Sequence, residues 1–372
     1  MENALKLLDT VGLNPLKNDK TSKFKYFICF SCIIWIIISA VLEIVSNIGV
    51  FEILLRDKNA SQAIIPPLQT LLKMSSFLFL KKEIVDLLEK TKCFWKLDQC
   101  DDETTKQKLT QIHKYVTIFF YVYTVLMTVV CLQLGSLTLI VKPGKPIFLC
   151  YGGSDGLESP QYEIYAIVDI FGTLLIGIIV SAYDGMCFYF TLYIYTEFKL
   201  LKIAFKRKNG QTVFSYDQQF IQAAKHHDFL LNFINQLNDV ISPICLYQFF
   251  SSLLGICLCL FLLTAEGMPP KPDTFLTYFI GLMGFVAQTY AFCHIGNLIS
   301  ELSMDISNDI FYVDWLDDEV YRNKTARLII MNRAQKPAKL TIGKFADMNL
   351  RTFILILRNA YSFLAFMNNM LD

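Results

Sequence analysis

Five stretches of this chain are long and apolar enough to be read as helices that cross a lipid bilayer. The hydrocarbon core is about 30 Å thick, so a helix rising 1.5 Å per residue needs about 20 mostly apolar residues to span it. Residues 27–51, 115–141, 161–197, 240–265 and 274–300 meet that requirement. Two weaker stretches complete a set of seven. The first, 60–80, contains Pro66, Pro67, Gln69 and Lys73, and the second, 345–367, carries Asp347, Arg351 and Arg358. Charge is costly against lipid, so both helices are expected to face protein or water.

Composition supports an all-α membrane protein. Hydrophobic residues make up 54% of the chain and charged residues 18%, whereas an ordinary soluble domain carries about a quarter charged. The net charge of +1 gives no reason to expect a nucleic acid or a strongly acidic partner. A cleaved signal peptide would place a short apolar run near the start. Residues 1–26 are instead polar and lysine-bearing, and no cleavage is expected.

Lysine and arginine fix the orientation. When the connections are assigned alternately to the two sides, one side collects more than twenty of these residues and the other five. Positive charge is retained on the cytoplasmic side. The N-terminus is therefore expected inside, and the C-terminus outside after seven crossings. The sequon at Asn59 then falls in an outer loop, where a glycan can be attached, while the sequon at Asn323 falls inside. A G-protein-coupled receptor has the opposite orientation, and its third-helix and seventh-helix motifs are missing here, which disfavours that class.

The inner segments 81–114, 198–239 and 301–344 read as a cytoplasmic helical anchor within one 1–372 domain. Ile84, Leu87 and Leu88, and likewise Phe220, Ala223, Ala224, Phe229, Leu230, Phe233, Ile234 and Leu237, recur at helical spacing and need a surface to bury against. His226 and His227 are adjacent, so on a helix they diverge by about 100° and are poor joint metal ligands; a solvated or interfacial role is expected. Cys29 and Cys32 have CxxC spacing but no second ligand pair, which favours small apolar packing residues over zinc or redox chemistry. No catalytic, cofactor or metal motif is found.

The last helix has a polar edge. Projected at 100° per residue, Arg351, Arg358, Ser362 and Asn369 fall close to one line with Phe366 beside them. Such a stripe suits a water-filled pore, or polar contacts inside a closed bundle, and the residues alone leave both open. The arginines weigh against a simple cation path.

The stretch Leu340-Thr341-Ile342-Gly343-Lys344-Phe345-Ala346-Asp347-Met348-Asn349-Leu350-Arg351-Thr352-Phe353, followed by Asn359-Ala360-Tyr361-Ser362-Phe363, resembles the C-terminal signature of insect odorant receptors. Pro146, Ser159-Pro160 with Tyr162, and Tyr183-Asp184 agree with it. Related gustatory receptors end in a different pattern, although a gustatory channel remains the alternative. The short 199–239 stretch is similar to a ligand-tuned subunit and not to the co-receptor.

That resemblance implies a subunit of an odorant-gated, non-selective cation channel, a heterotetramer with the co-receptor in the plasma membrane of an olfactory neuron dendrite. It implies no enzyme activity and no cofactor. The pore and gate would involve Ser362, Phe366, Asn369 and Met370, with permeant cations passing between subunits. A small volatile would bind in the outer half of the bundle. Candidate positions are Thr70, Lys73 and Met74; Leu132, Gly135 and Leu139; Ile170, Thr173 and Gly177; and Tyr278, Leu282 and Phe285. Tyr278 or Thr173 would bond an oxygen of the volatile. Lys73, as a buried cation, invites a carboxylate, for which Asp169 or Glu163 is expected.

Overall fold

Among the described residues, most of each apolar run lies within a helix, and four of those helices continue well beyond a bilayer. The computed structural model describes residues 1–17, 19–46, 58–97, 102–140, 161–206, 213–264, 272–311 and 324–371. In chain order the helices are α1 (Glu2–Thr10), α2 (Lys20–Ser46), α3 (Lys58–Phe79), α4 (Lys81–Lys90), α5 (Glu103–Ile140), α6 (Gln161–Ala204), α7 (Val213–Thr264), α8 (Pro272–Phe311), α9 (Lys324–Ala334) and α10 (Leu350–Leu371). By length and apolarity, spans within α2, α5, α6, α7 and α8 qualify as membrane crossings. In α3 and α10, prolines and charged residues interrupt the apolar sequence.

α6 is the mast of the bundle. From Leu175 to Leu201 most of its side chains are buried, including Ile179, Tyr183, Phe190, Ile194 and Phe198. It packs against α5 along a line where Gly177 and Gly185 face Cys131 and Phe120. The outer face of α5, with Val122, Val125 and Leu126, stays exposed within the subunit, as a surface meant for lipid must.

The parts of these helices that extend beyond the apolar runs form the base. α7 has 52 residues and so is about 78 Å long, more than twice what a crossing needs. Its Phe220, Ala223, Leu230, Phe233 and Leu237 join one core with Ile84, Leu87 and Leu88 of α4 and Phe198, Leu201 and Phe205 of α6. Lys202 of α6 clamps α8 by reaching Asp305 at 3.1 Å and Asp309 at 2.9 Å. α1 tucks Ala4 against Phe120, Tyr189 and Leu192, although its polar sequence gave no reason to expect a packed helix.

The reading of the two histidines changes. His226 and His227 are neither solvated nor interfacial; both are buried inside the subunit. The His226 ring meets the Glu197 carboxylate and stacks on Trp95 with centroids 4.1 Å apart. Glu197 also accepts the Trp95 backbone N–H at 3.3 Å. Burial, with a smaller contribution from the Arg333 charge, pushes the His227 imidazole down from 6.5 to about 4.

The last helix begins at Leu350, because the residues before it form a hairpin. Thr341–Ile342 pairs antiparallel with Ala346–Asp347, and the turn residues Gly343 and Lys344 both have positive φ, 60° and 66°. Three residues, Gly343, Lys344 and Phe345, link the paired Ile342 and Ala346; the two successive positive φ values, closed by the Phe345 N–H on the Ile342 carbonyl at 3.2 Å, mark a primed turn. The hairpin is tied to α7: Thr341 N–H donates to Asn238 Oδ1 at 2.7 Å, Gly343 N–H to the Ser242 carbonyl at 3.0 Å and Lys344 N–H to Ser242 Oγ at 3.1 Å. A Cβ on Gly296 of α8 would lie 2.0 Å from the Met348 carbonyl oxygen; only glycine admits that approach. Asn349 then caps α10, its Oδ1 accepting the Thr352 N–H at 2.9 Å.

Candidate functional site

A buried polar network joins five helices near the middle of the bundle. The Asp184 carboxylate of α6 is its hub. One oxygen accepts Lys73 Nζ of α3 at 2.8 Å, and the other accepts Tyr123 Oη of α5 at 2.7 Å and Gln288 Nε2 of α8 at 2.6 Å. Gln248 of α7 donates to Gln288 Oε1 at 2.7 Å and to Ser252 Oγ at 3.1 Å. Gln69 of α3 donates in turn to Gln248 Oε1. The three amides therefore run head to tail, Gln69 to Gln248 to Gln288, and that chain of hydrogen bonds ends on the carboxylate.

Both charges are deeply buried, with side-chain exposures of 2% for Lys73 and 0% for Asp184. Withdrawing such a pair from water is expensive, and it is offset only when the geometry is good and the remaining lone pairs are filled. Three donors to one carboxylate satisfy that condition. The Lys73 ammonium also lies 5.2 Å from the Tyr183 ring centroid. The expected partner of Lys73 is thus corrected: Glu163 is exposed, the Asp169 side chain lies outside the described residues, and Asp184 holds the cation.

The candidate pocket residues divide into groups. Thr70, Lys73 and Met74 are fully buried in α3, with the Thr70 hydroxyl bonded to the Pro66 carbonyl at 2.8 Å. Thr173 is buried and its hydroxyl donates to the Ile170 carbonyl at 3.0 Å; Ile170 itself is half-buried. Gly177 is buried against α5, where an added Cβ would come within 3.3 Å of Cys131 Sγ. Leu132 is exposed. The surroundings of Gly135 and the side chain of Leu139 lie outside what is described.

Tyr278, Leu282 and Phe285 are placed elsewhere. Tyr278 belongs to a cluster with Phe261, Leu262 and Leu364, whereas Leu282 and Phe285 pack around Ile256, Cys257 and Ala360. These three positions therefore sit where α7 and α8 meet the last helix, apart from the α3 group.

α10 shows two contrasting faces. Ala360 and Leu364 are buried toward α7 and α8, and Cys257 Sγ contacts the Ala360 carbonyl at 3.8 Å. Arg351, Arg358, Tyr361, Ser362 and Phe366 are exposed. The Ser362 hydroxyl bonds only its own helix, at the Arg358 carbonyl 3.0 Å away. Neither arginine makes an ion pair among the described residues. The Asn369 and Met370 side chains lie outside the described residues, as does that of Asn59, which is in the first turn of α3.

Sequence reasoning identified Lys73, Gln69 and Tyr183-Asp184 separately but missed their convergence. Tyr123, Gln248 and Gln288 were not singled out at all. The available signal was a single amide or phenol at the middle of an apolar run, which in a membrane helix calls for a partner. Among the described residues no group of three or more His, Cys, Asp or Glu side chains is gathered as a metal would require.

Comparison with known proteins gives a consistent result. A family profile described as 7tm Odorant receptor matches residues 59–361. The chain is 29% identical over 235 residues to Odorant receptor 10 of Aedes albopictus, covering 59% of each protein. It is 24% identical over 253 residues to Odorant receptor 94a of Drosophila melanogaster, covering 68% of this chain and 65% of that one. The matched stretches thus span about two thirds or less of these relatives. The structure of the insect olfactory receptor OR5 from Machilis hrabei superposes with a TM-score of 0.81 at 14% identity, over 98% of this chain and 96% of that one. Its complex with eugenol superposes with a TM-score of 0.76. The fold is that of an insect olfactory receptor, an all-α membrane bundle, and the chain belongs to the insect odorant receptor family.

Proposed function

We propose that this chain is a ligand-tuned, multi-pass plasma-membrane subunit that, with the co-receptor in a heterotetramer, forms an odorant-gated cation channel. The observation that carries this reading is the polar edge of α10. Arg351, Arg358 and Ser362 are exposed and make no hydrogen bond or ion pair with another helix of the subunit among the described residues. This argues against polar contacts inside a closed bundle and for a face that meets water or neighbouring subunits in an assembly. Phe366 stands exposed on the same helix and would close the pore by excluding water, next to Asn369 and Met370.

The volatile binds in the outer half of the bundle, above the Asp184 network, which serves as the floor. Binding rests mainly on apolar burial, at about 25 cal/mol per Å², with Thr173 or Tyr278 orienting an oxygen. Tyr278, Leu282 and Phe285 share clusters with Leu364 and Ala360, so a ligand that repacks α8 also repacks the bundle face of α10. Only a difference in affinity between closed and open forms shifts that balance. Eugenol, bound in the superposed relative, is a reasonable first probe of ligand class.

The test is whole-cell recording with and without the co-receptor against a panel of volatile esters, alcohols, aldehydes and phenols. Odorant-evoked cation current that requires both proteins is the expected result. No current with both proteins labelled at the cell surface overturns the reading.

A further inference from the structure

We infer that the cavity between the α1–α2 turn and the α3–α4 junction is a binding site for one anionic phospholipid of the inner leaflet. The cavity has a volume of about 230 Å³. Its walls are apolar, formed by Leu13, Pro15, Phe77 and Leu78, and Lys17, Lys23 and Lys81 stand around it. A water molecule takes about 30 Å³, so the space accommodates a phosphodiester and its glycerol carbons.

The polar groups around this cavity are only partly satisfied. Lys17 is occupied by Asp9 at 2.8 Å. The Lys81 ammonium donates to the Lys17 carbonyl at 3.1 Å but meets no carboxylate among the described residues, and neither does Lys23. The Tyr26 hydroxyl is buried without a hydrogen-bond partner among the described residues, a rare condition for such a group. Two cations lacking carboxylates and one orphan hydroxyl call for an anion rich in acceptors. The apolar walls call for a carbon chain attached to it.

Position selects the source. The cavity adjoins the N-terminal end of the first apolar run and the end of α3, at headgroup depth on the side where lysine accumulates. Anionic lipids are concentrated in that leaflet, and basic pockets between helices there bind their headgroups. The site is also preformed. Gly12 has φ 75°, and a Cβ there would lie 2.3 Å from the Ser22 carbonyl oxygen and 2.7 Å from Tyr26 N. The Ser22 hydroxyl donates to the Gly12 carbonyl at 3.1 Å, and Asn14 Oδ1 accepts the Leu16 N–H at 3.0 Å. A turn already held in place loses little freedom when the lipid binds. This inference depends on the inward orientation of the N-terminus and not on the channel reading.

The experiment titrates the purified full-length chain in detergent with phosphatidylserine or phosphatidylcholine and counts bound lipids by native mass spectrometry. Phosphatidylserine is expected to bind in preference to phosphatidylcholine. At roughly fivefold per lysine, K23Q/K81Q weakens it about 25-fold, while K20Q/K82Q, which alters lysines away from the cavity, leaves it unchanged. Tyr26→Phe removes only the orphan hydroxyl and weakens phosphatidylserine alone. Equal loss in both lysine pairs, no preference over phosphatidylcholine, no change with Tyr26→Phe, or displacement by inorganic phosphate each overturns the site. Because no current is measured, its failure is separable from failure of the channel reading.

Discussion

α6 and α10 are both apolar helices of a membrane bundle, yet they are buried in opposite ways. α6 is enclosed on most sides from Leu175 to Leu201 and places the Asp184 carboxylate at the hub of the polar network. α10 commits one narrow face, Ala360 and Leu364, and leaves Ile354, Tyr361, Phe363 and Phe366 exposed along with both arginines. The difference teaches that folding and assembly are allotted to different helices. α6 holds the subunit together, and α10 leaves exposed the residues that, in the proposed assembly, a neighbouring copy or a water column would meet.

The largest effect is expected at the hub. Asp184→Ala removes the acceptor of three donors and leaves the Lys73 ammonium unpaired at 2% exposure, a loss of about 3–5 kcal/mol. Surface labelling of the receptor should fall close to background. Lys73→Met should cost less, because Tyr123 and Gln288 still satisfy the carboxylate. Equal surface expression of Asp184→Ala and wild type would break the contrast, since α6 would then tolerate what only an exposed helix should.

A second substitution tests the joint between the two helix types. Gly296→Ala places a methyl 2.0 Å from a backbone carbonyl of the hairpin, and no side-chain rotation relieves it. Overpacking of this kind costs about 1–3 kcal/mol. The expected result is a lower melting temperature in detergent together with altered gating, because the hairpin sets where α10 begins. A change in melting alone would separate the hinge from the gate.

The base gives a smaller, pH-dependent effect. The unfolded chain protonates His227 as pH falls below 6.5, whereas the folded base resists until about 4. Folding stability from this site is therefore complete above 6.5 and is lost as pH falls toward 4, by about 1–2 kcal/mol at about pH 5. The drop in melting temperature between about pH 7.5 and about pH 5 should shrink in His227→Gln. An unchanged drop would assign the acid sensitivity to other groups.

How far the sequence foretold this contrast depends on what each residue reports. Apolar run length located the helices, because hydrocarbon thickness sets a length that composition alone can meet. Periodicity in Ile84, Leu87 and Leu88 marked a face to be buried, and the base buries it. Asp184 was visible as an intramembrane acid, but its partner was not: Lys73 lies 111 residues away in sequence, and nothing local encodes which of several carboxylates it meets. The histidine pair misled because polar type suggested solvent, while Trp95 and Glu197, supplied from two other segments, made a buried position satisfiable. The hairpin before α10 was hidden by its Gly-Lys turn inside a stretch that reads equally well as the start of a helix.

The smallest effect on folding, and the one that bears most on function, is expected on the exposed face of α10. Phe366 is 57% exposed, so Phe366→Ala removes little packing within the subunit and should change stability by less than about 0.5 kcal/mol. If the ring closes a pore by keeping water out, the same change should raise basal current in cells expressing this chain with the co-receptor, at normal surface labelling. Leu364→Ala supplies the opposite case from two positions away: its side chain is 8% exposed within the Tyr278 cluster, so stability should suffer before conduction does. Should both variants lose surface labelling alike, α10 would be an ordinary packed helix. Should Phe366→Ala leave basal and evoked currents untouched, its exposed face would serve assembly or lipid, and the gate would have to be sought elsewhere on the helix.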